Sequence, residues 1–407
     1  MTSSGGSGNR PLLNLGIIGL GGGASQMLPA FARHSRVSVT AAADIDQEQL
    51  DKFRTQYEGE TFLSAEAICQ SPNVDVVYIA TPNQFHTEHA LTAIESKKHV
   101  YMEKPMTLTL EEADAMIQAA EQNGVQLAVN VKHSYEPRVR KIREMVVSEE
   151  LGKLRMINYW YYNDWLYSPR TAEELTPELG GGVPWRQGPH QFDILRTIAG
   201  GLVRSVRAMT GVWDETRPVP GCYSSFLEFE NGIVATAVYS GYDHFSSREL
   251  TYRVDEGDAW PDPPVYARAR TALREAGSKE AETALKRDRR FGGTNRDASG
   301  AAPGQRRPTP WILGGPLVAS FDKGDVRLTP NGLMVYGEDE KREITLPNTP
   351  DGRDSIIEEV YQAVVNGRRP ANDGHWGKAT LEVLLALFQS GKERREIQMS
   401  HQVPTQD

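Results

Sequence analysis

Several features that mark other classes of protein are scarce in this sequence. Among 407 residues there are only two cysteines, Cys69 and Cys222, and neither lies in a C-x-x-C pair or in a zinc-binding spacing. We therefore expect neither a disulfide framework nor a bound metal, and the cysteine usage fits a reducing cytoplasm. No apolar run is long enough to span a membrane. The net charge of −9 argues against general affinity for nucleic acid or anionic membranes.

The length and composition indicate a globular chain. A length of 407 residues predicts two domains, and 39% hydrophobic with 24% charged residues is typical of a soluble protein. Residues 1–10 are rich in glycine and serine and lack an apolar stretch. We interpret them as a disordered tail and not as a signal peptide.

A glycine-rich turn near the N-terminus is the most informative motif. The apolar run at residues 14–18 leads into Gly19 and Gly21, which fill the first two places of G-x-G-x-x-[G/A], with Gly22 next and Ala24 in the third place. The first glycine permits a tight turn, and the second lets a pyrophosphate approach the backbone. The small third residue lets a helix pack on its strand, so the motif predicts a dinucleotide site.

An acidic residue supports this interpretation. The strand-like run at residues 37–43 ends in Asp44, about 20 residues past the turn, where such folds bind the adenosine ribose hydroxyls. Asp46 follows two residues later, and two carboxylates there would repel a 2′-phosphate, which favours NAD over NADP. Asp44 could instead only cap a turn.

Strands and helices alternate through the first third of the chain. Residues 74–80 form a nearly continuous apolar run, as expected of a central parallel strand, and Thr81-Pro82-Asn83 ends it. A short strand at residues 99–102 ends at Glu103-Lys104-Pro105. This alternation predicts a doubly wound Rossmann sheet over residues 11–133, with ligands bound beyond the carboxyl ends of the strands.

The remainder, residues 134–407, has a different pattern. Strand-like runs recur without regular intervening helices, and Asn231-Gly232 is a strong hairpin signal between two of them. We predict an α+β domain with a large, open and mostly antiparallel sheet. Its exposed face requires a cover, so a homodimer or homotetramer through this sheet is expected.

A polar segment at residues 255–309 interrupts this domain. It contains a charged, helix-like piece around residues 267–290, and we interpret the segment as an insertion or arm. Its basic run at residues 286–290 is expected to be a solvated face. A cap over an anionic ligand or a clasp between subunits are the alternatives.

Taken in order, these motifs resemble the glucose–fructose oxidoreductase/inositol dehydrogenase (Gfo/Idh/MocA) family. The resemblance covers nearly the whole chain except the tail and the insertion. It rests on four motifs in order: Gly19-Leu20-Gly21, Ala80-Thr81-Pro82-Asn83 with His86, Glu103-Lys104-Pro105, and Gly180-Gly181-Gly182 leading to Gly188, His190 and Asp193. It implies an N-terminal Rossmann domain, a C-terminal domain with an open sheet, and oxidation of a secondary alcohol with a nicotinamide cofactor. It also implies cofactor contacts at Thr81, Pro82, Asn83, His86, Glu103 and Lys104.

The resemblance assigns the catalytic roles to Lys104 and His190. Hydride transfer from a carbinol requires a group that takes the hydroxyl proton and a cation that stabilises the developing alkoxide. Lys104 is the predicted cation, and His190 the predicted proton acceptor. Asp193, one helical turn later, could orient His190 or contact the substrate. The alternatives are a surface lysine and a structural histidine.

The sequence departs from the family pattern at Arg186. Members that act on polyols usually have an aspartate four residues before the histidine, whereas this chain has arginine. Arginine cannot act as a base at neutral pH, but it can bind a carboxylate through two parallel hydrogen bonds. Because Pro189 lies between them, Arg186 could lie on an entry loop and not on the helical face of His190. Arg170 is a second candidate for carboxylate binding.

Aromatic residues accompany these arginines. Trp165 and Tyr167 are the candidates for substrate contact, within a predicted aromatic wall formed by Trp160, Tyr161, Tyr162, Trp165, Tyr167 and Trp185. Aromatic and arginine side chains together favour a flat, carboxylated ring over a neutral sugar. Core packing of the aromatics and surface exposure of the arginines is the alternative.

The run at residues 186–193 resembles the branch that oxidises cis-dihydrodiols of aromatic carboxylates, such as the phthalate 4,5-dihydrodiol dehydrogenases. This resemblance implies oxidation with NAD to a catechol. Two alternatives remain open: a sugar or polyol dehydrogenase, and a non-catalytic sensor of nucleotides. The presence of both Lys104 and His190 argues against the sensor.

Overall fold

The computed structural model describes residues 12–251, 268–293, 314–347 and 352–406. The predicted tail at residues 1–10 lies outside the described residues, as do both ends of the predicted insertion. The described strands form one sheet of six and one sheet of nine strands. The predicted fold, a parallel Rossmann sheet followed by a larger and mostly antiparallel sheet, is confirmed.

The first sheet is entirely parallel. Its order, β3-β2-β1-β4-β5-β6, is that of a doubly wound nucleotide-binding fold. The strands are β1 (Leu13–Ile18), β2 (Val37–Ala43), β3 (Glu60–Phe62), β4 (Val76–Ile79), β5 (His99–Met102) and β6 (Leu127–Val129). Every residue of β4 is buried, as expected for a central strand that helices cover on both faces.

Helices connect these strands and begin at recognisable caps. They are α1 (Gly22–Arg33), α2 (Gln47–Tyr57), α3 (Ala65–Cys69), α4 (His86–Glu95) and α5 (Leu110–Asn123). Side chains of Asp46, Ser64 and Thr109 accept backbone hydrogen bonds at the first turns of α2, α3 and α5. Helix α1 begins directly after the glycine turn and contains Pro29 in its interior.

The second sheet is mostly antiparallel, in the order β14-β13-β12-β11-β7-β10-β9-β8-β15. Its one parallel pair among the described strands joins β7 to β10. The strands are β7 (Leu154–Tyr162), β8 (Val203–Gly211), β9 (Cys222–Phe229), β10 (Val234–Ser240), β11 (Leu317–Phe321), β12 (Gly324–Thr329), β13 (Gly332–Gly337), β14 (Lys341–Thr345) and β15 (Ile397–Gln398).

Among the described helices, four pack on this sheet or join it to the first half of the chain. These helices are α6 (Pro137–Ser148), α7 (Val183–Ala199), α10 (Arg353–Asn366) and α11 (Gly374–Glu393). Helix α7 packs on β7, β9 and β10, and α11 packs on β8. The last two helices also return to the first half, where α10 contacts α1 and α11 contacts α5 and β6. The two halves therefore share one continuous core, which fixes the cleft between them.

The central part of the predicted insertion forms two helices, α8 (Arg268–Ala276) and α9 (Lys279–Arg287). Ser278 caps the start of α9 by accepting a hydrogen bond from the backbone of Ala281. Helix α8 contacts α9 and the 3-10 turn at Trp165–Tyr167, which lies on the loop after β7.

Among the described residues, no helix combines the length and the apolar character that crossing a lipid bilayer requires.

Candidate active site

The glycine turn between β1 and α1 leaves an open helix N-terminus. Gly19 has φ of +90°, and a Cβ atom there would meet the backbone of Ala80 at 3.0 Å. Gly22 is exposed, and a Cβ atom there would have no neighbour within 4 Å. No side chain caps α1, and Ala24 is fully buried where the helix packs on the sheet. The uncapped amides can therefore receive an anion.

Asp44 follows β2 beside this turn. The backbone N–H of Leu20 donates to its Oδ2 at 2.7 Å, and the N–H of Asp46 donates to its Oδ1 at 2.9 Å. Both bonds orient the half-buried carboxylate and leave acceptor capacity on each oxygen. The carboxylate and the glycine turn are thus held together at one end of the sheet.

The loop after β4 is fastened to the loop after β5 by His86. This histidine is fully buried, with Nδ1 2.9 Å from the carbonyl of Pro105 and Nε2 3.0 Å from that of Thr81. Its contacts make it a residue that positions both loops. Pro82 is exposed and Asn83 is buried beside it.

Lys104 lies at the end of β5 and reaches the second half of the chain. Its Nζ donates to the carbonyl oxygen of Arg186 in α7 at 2.8 Å. Burial lowers the pKa of Lys104 to about 8, although the adjacent Glu103 opposes this shift, and Arg186 contributes to it. Tyr78 and Asn130 donate to Glu103, whose pKa is held low, against the effect of burial, by Lys104 and Lys132. Lys104 is therefore mostly charged at pH 7 and loses its charge above about pH 8.

His190 lies on α7 and faces the same group. Its ring centroid is 4.3 Å from that of His133 in an edge-to-face arrangement. Burial lowers the pKa of His190 well below its ordinary value, and the charge of Lys104 contributes further. The imidazole is consequently neutral at pH 7, and its buried Nδ1 is left without a hydrogen-bond partner within the described residues.

Arg186 lies within α7, four residues before His190. The expectation that Pro189 places it on an entry loop is wrong, because α7 begins at Val183 and continues through the proline. Gly182, with φ of +95°, precedes the helix, and a Cβ atom there would meet the carbonyl oxygen of Pro220 at 2.6 Å. Because residues four apart lie on the same side of a helix, the side chains of Arg186 and His190 share one face of α7.

The guanidinium of Arg186 reaches across the cleft, but its N–H donors have few hydrogen-bond acceptors among the described residues. Its Nη1 lies 3.5 Å from Oδ1 of Asn83, at the limit of a hydrogen bond. Its Nε is buried without a partner among the described residues. Since a buried N–H donor without an acceptor is unfavourable, this arrangement suits an anionic ligand.

Arg170 is mostly occupied by other groups. Its guanidinium stacks on Trp165 at 3.4 Å, donates to the carbonyl of Trp165 at 2.6 Å and lies 3.6 Å from Glu174. Tyr167 is covered by Arg270 of α8, whose guanidinium lies 4.0 Å from the ring centre. These contacts hold the loop after β7 in place, which makes Arg170 a weaker candidate than Arg186.

The six aromatic residues do not form one wall. Trp160 is exposed on the uncovered face of the second sheet, and Trp185 packs against Phe388 of α11. Only Trp165 and Tyr167 lie on the loop near Arg170. The clustering along the sequence was misleading because alternate residues of a strand point to opposite faces.

Asp193 is directed away from this group. Its side chain is 1% exposed, and its Oδ1 accepts a hydrogen bond from the indole of Trp376 at 2.5 Å. Burial raises its pKa to about 6, against hydrogen bonds from Ser134 and Trp376. The predictions that it orients His190 or contacts substrate are not supported by these contacts, which place it in the packing between α7 and α11.

Two comparisons identify the family. The family described as "Oxidoreductase family, NAD-binding Rossmann fold" matches residues 13–131, and the GFO/IDH/MocA C-terminal domain matches residues 139–257. The chain belongs to the Gfo/Idh/MocA family. It is therefore an oxidoreductase with an NAD-binding Rossmann domain, as the resemblance implied.

Individual relatives agree with this assignment. The chain is 35% identical to 1-carboxy-3-chloro-3,4-dihydroxycyclohexa-1,5-diene dehydrogenase of Comamonas testosteroni, over 93% of this chain and 95% of that protein. A putative dehydrogenase from Bordetella bronchiseptica superimposes with a TM-score of 0.85 at 36% identity, covering 95% of this chain and all (100%) of that one. The WlbA dehydrogenase of Bordetella pertussis, solved with NADH and UDP-GlcNAcA, shares the fold at 18% identity, with a TM-score of 0.68 over 96% and 99% of the two chains.

The residues of this Gfo/Idh/MocA oxidoreductase fit NAD. The open N-terminus of α1 and the exposed Gly22 suit the pyrophosphate, and the oriented carboxylate of Asp44 suits the ribose hydroxyls. No metal is needed for this fit. In the parts of the chain that the structure describes, no three His, Cys, Asp or Glu side chains are grouped to hold a metal ion.

Sequence reasoning missed three residues of the site. Lys132 and His133 follow β6, and Glu174 lies on the loop after β7. The first two could have been found, because β6 ends at the same sheet edge as β4 and β5, where ligands bind. Nothing local distinguishes Glu174, which the fold brings to Arg170 and Lys286.

Proposed function

We propose that this oxidoreductase uses NAD⁺ to oxidise a secondary alcohol, a cis-dihydrodiol of an aromatic carboxylate, to the corresponding catechol. The observation that carries the proposal is the position of Arg186. Nε of Arg186 is a buried donor without a partner among the described residues. Arg186 lies four residues before His190 on α7, and its backbone carbonyl accepts a hydrogen bond from Lys104. A carboxylate bound there would present a neighbouring hydroxyl to the lysine and the histidine.

In the proposed reaction, the side chains of Lys104 and His190 have different roles. NAD⁺ held by the N-terminus of α1 and by Asp44 would supply the hydride acceptor for the carbinol carbon. The ammonium of Lys104 donates a hydrogen bond to the reacting oxygen and stabilises its developing negative charge. The neutral imidazole of His190 accepts the hydroxyl proton. The product ketone tautomerises to the catechol, and the gain of aromaticity drives the reaction towards oxidation.

The charge balance around the cleft supports an anionic substrate. The charge of Arg186 is among the causes that shift the pKa values of Lys104, Glu174 and Lys286, so these groups lie within electrostatic reach of one another. Although burial opposes ionisation, Lys286, Arg170 and Arg186 hold the pKa of Glu174 at about 2. The cations outnumber this carboxylate, and a substrate carboxylate would offset the excess.

The named relative supports the same class of substrate. The Comamonas protein is a dehydrogenase of a carboxylated dihydroxycyclohexadiene and aligns along nearly the whole chain. Since substrate identity is decided by the site and not by the fold, this likeness supports the class of substrate and leaves the ring substituents to experiment.

A substrate panel tests the proposal. Purified protein with NAD⁺ is assayed against cis-dihydrodiols of benzoate and phthalate, cis-benzene dihydrodiol, myo-inositol and glucose, following NADH at 340 nm. We expect turnover of the carboxylated diols with kcat/KM at least 100-fold above that of the polyols. Turnover of polyols alone would establish the sugar dehydrogenase alternative. Binding of NAD⁺ without turnover of any alcohol would favour the sensor.

We also propose that a second copy of the chain covers the open face of the second sheet. Strand pairing places Met156, Trp160, Met209 and Phe226 on the same uncovered side, where each is between 37% and 45% exposed. An apolar group of this kind on a sheet is typical of a subunit interface.

Light scattering after size exclusion measures this prediction. The parent chain is expected to run as a dimer or tetramer, and Phe226→Glu is expected to shift it towards the monomer because a buried, unpaired carboxylate is unfavourable. Val147→Glu, an equally drastic change at an exposed position of α6, is the matched control and should leave the mass unchanged. A monomeric parent would refute this interface.

A further inference from the structure

The helical insertion, α8 and α9, is anchored firmly to the second half of the chain. Glu282 of α9 pairs with Arg217 at 2.6 Å in a buried contact, and it also accepts the backbone N–H of Arg170 at 2.8 Å. Lys286 pairs with Glu174 at 2.9 Å. The basic run at residues 286–290 is thus not simply a solvated face, since its first member, Lys286, pairs with Glu174 on the loop after β7.

A few residues later the same segment contacts the glycine turn. The backbone N–H of Phe291 donates to the carbonyl of Leu20 at 3.3 Å, and the side chain of Phe291 is only 3% exposed. Its ring lies 6.3 Å from Phe53 and 5.9 Å from Tyr57, both on α2. Phe291 therefore packs on the Rossmann domain although it belongs to the insertion.

The distance along the chain is short. Phe291 is the fifth residue after Lys286, so even a fully extended segment would span no more than about 18 Å. The segment therefore links the loop that carries Glu174 directly to the glycine turn at Leu20.

A single residue, Leu20, connects Phe291 to Asp44, which is predicted to bind the dinucleotide. Leu20 accepts from Phe291 with its carbonyl and donates to Asp44 with its amide. Helix α2, which the phenyl ring covers, begins at the Asp46 cap, two residues after Asp44. Phe291, which belongs to the insertion, therefore contacts both the glycine turn and the helix that follows the acidic loop at residues 44–46.

We propose that Phe291 is a positioning residue for the dinucleotide, which acts through Leu20 and Asp44. Without it, the turn and the acidic loop would have to be ordered by the cofactor itself, and this ordering would weaken binding. The Rossmann domain of this chain thus depends on a residue from the second half for full affinity. This role is independent of which alcohol is oxidised.

Calorimetric titration of NAD⁺ into the full-length protein tests the proposal without any alcohol present. Phe291→Ala is expected to raise the Kd for NAD⁺ at least tenfold, whereas kcat at saturating NAD⁺ and the KM for the alcohol should change less than twofold. Phe291→Tyr should restore most of the affinity because the ring is retained. The substrate proposal could fail while this result stands, since the titration contains only NAD⁺.

Arg287→Ala is the matched control, because Arg287 is exposed in the same segment and should leave the Kd unchanged. If Phe291→Ala does not fold, Phe291→Leu replaces it, with a Kd expected about three- to tenfold above that of the parent. A Kd within twofold of the parent in the folded Phe291 variant would overturn the proposal. So would equal losses of affinity in the Arg287 and Phe291 variants.

Discussion

Replacing Lys104 by methionine is expected to lower kcat about 10²–10⁴-fold, the range for loss of a positioned proton-transfer or charge-stabilising group. Methionine has a similar length, so the packing at the end of β5 is retained while the ammonium is lost. The Kd for NAD⁺, measured by titration, should change less than threefold. Lys97→Met is the control, because Lys97 is exposed and its ammonium donates to Asn123 at the surface.

The pH dependence of kcat/KM in the parent protein also tests the role of the Lys104 charge. In the proposed mechanism, activity requires a charged Lys104 and a neutral His190. The folded pKa of Lys104 is lowered to about 8, so its charge is present below pH 8 and lost above it. His190 stays neutral through the neutral range because burial lowers its pKa. We expect kcat/KM to decline above about pH 8, and Lys104→Arg to remove that decline while reducing the rate.

Either of two results would contradict these roles. The first is a kcat of Lys104→Met within tenfold of the parent at pH 7. The second is a rate that keeps rising with pH up to 10, which would make neutral Lys104 the base and leave His190 without the role of proton acceptor.

Replacing Arg186 by alanine is expected to reduce kcat/KM for a carboxylated cis-dihydrodiol by about 30- to 1,000-fold, which corresponds to about 2–4 kcal/mol for the loss of one bidentate pair. The substitution removes the guanidinium but keeps the backbone carbonyl that holds Lys104. The effect should therefore report carboxylate binding and not displacement of the lysine.

The comparison of two substrates sharpens this experiment. For cis-benzene dihydrodiol, which has no carboxylate, Arg186→Ala should change kcat/KM less than threefold. Arg186→Lys should recover only part of the loss, because an ammonium lacks the planar pair of donors. Arg155→Ala, at an exposed arginine of β7, should have no effect on either substrate. Equal losses on the carboxylated and uncarboxylated diols would refute the assignment of Arg186.

Much of the fold could be predicted because its signals are local. The apolar run at residues 74–80 indicated a buried parallel strand, and Asn231-Gly232 indicated the hairpin that joins β9 to β10. The short edge strands β3 and β15 were missed, since three and two residues carry no readable periodicity. The return of α10 and α11 to the first sheet was missed as well, because it depends on contacts distant in sequence.

The candidate site was predictable only in part. The motifs that carry Lys104 and His190 lie 86 residues apart, and the structure brings both into one group through the carbonyl of Arg186. The contacts of Glu174 with Lys286 and of Phe291 with Leu20 could not be anticipated. They are made by a polar insertion whose sequence shows helix formation but not where the helices pack.

A crystal structure of the protein with NADH and a carboxylated cis-dihydrodiol or its catechol tests the central claim most directly. The account predicts that the reacting oxygen lies within hydrogen-bond distance of both Nζ of Lys104 and the ring of His190, with its carbon facing C4 of the nicotinamide and its carboxylate on Arg186. A reacting oxygen more than about 5 Å from both side chains, well beyond hydrogen-bond reach, would contradict it.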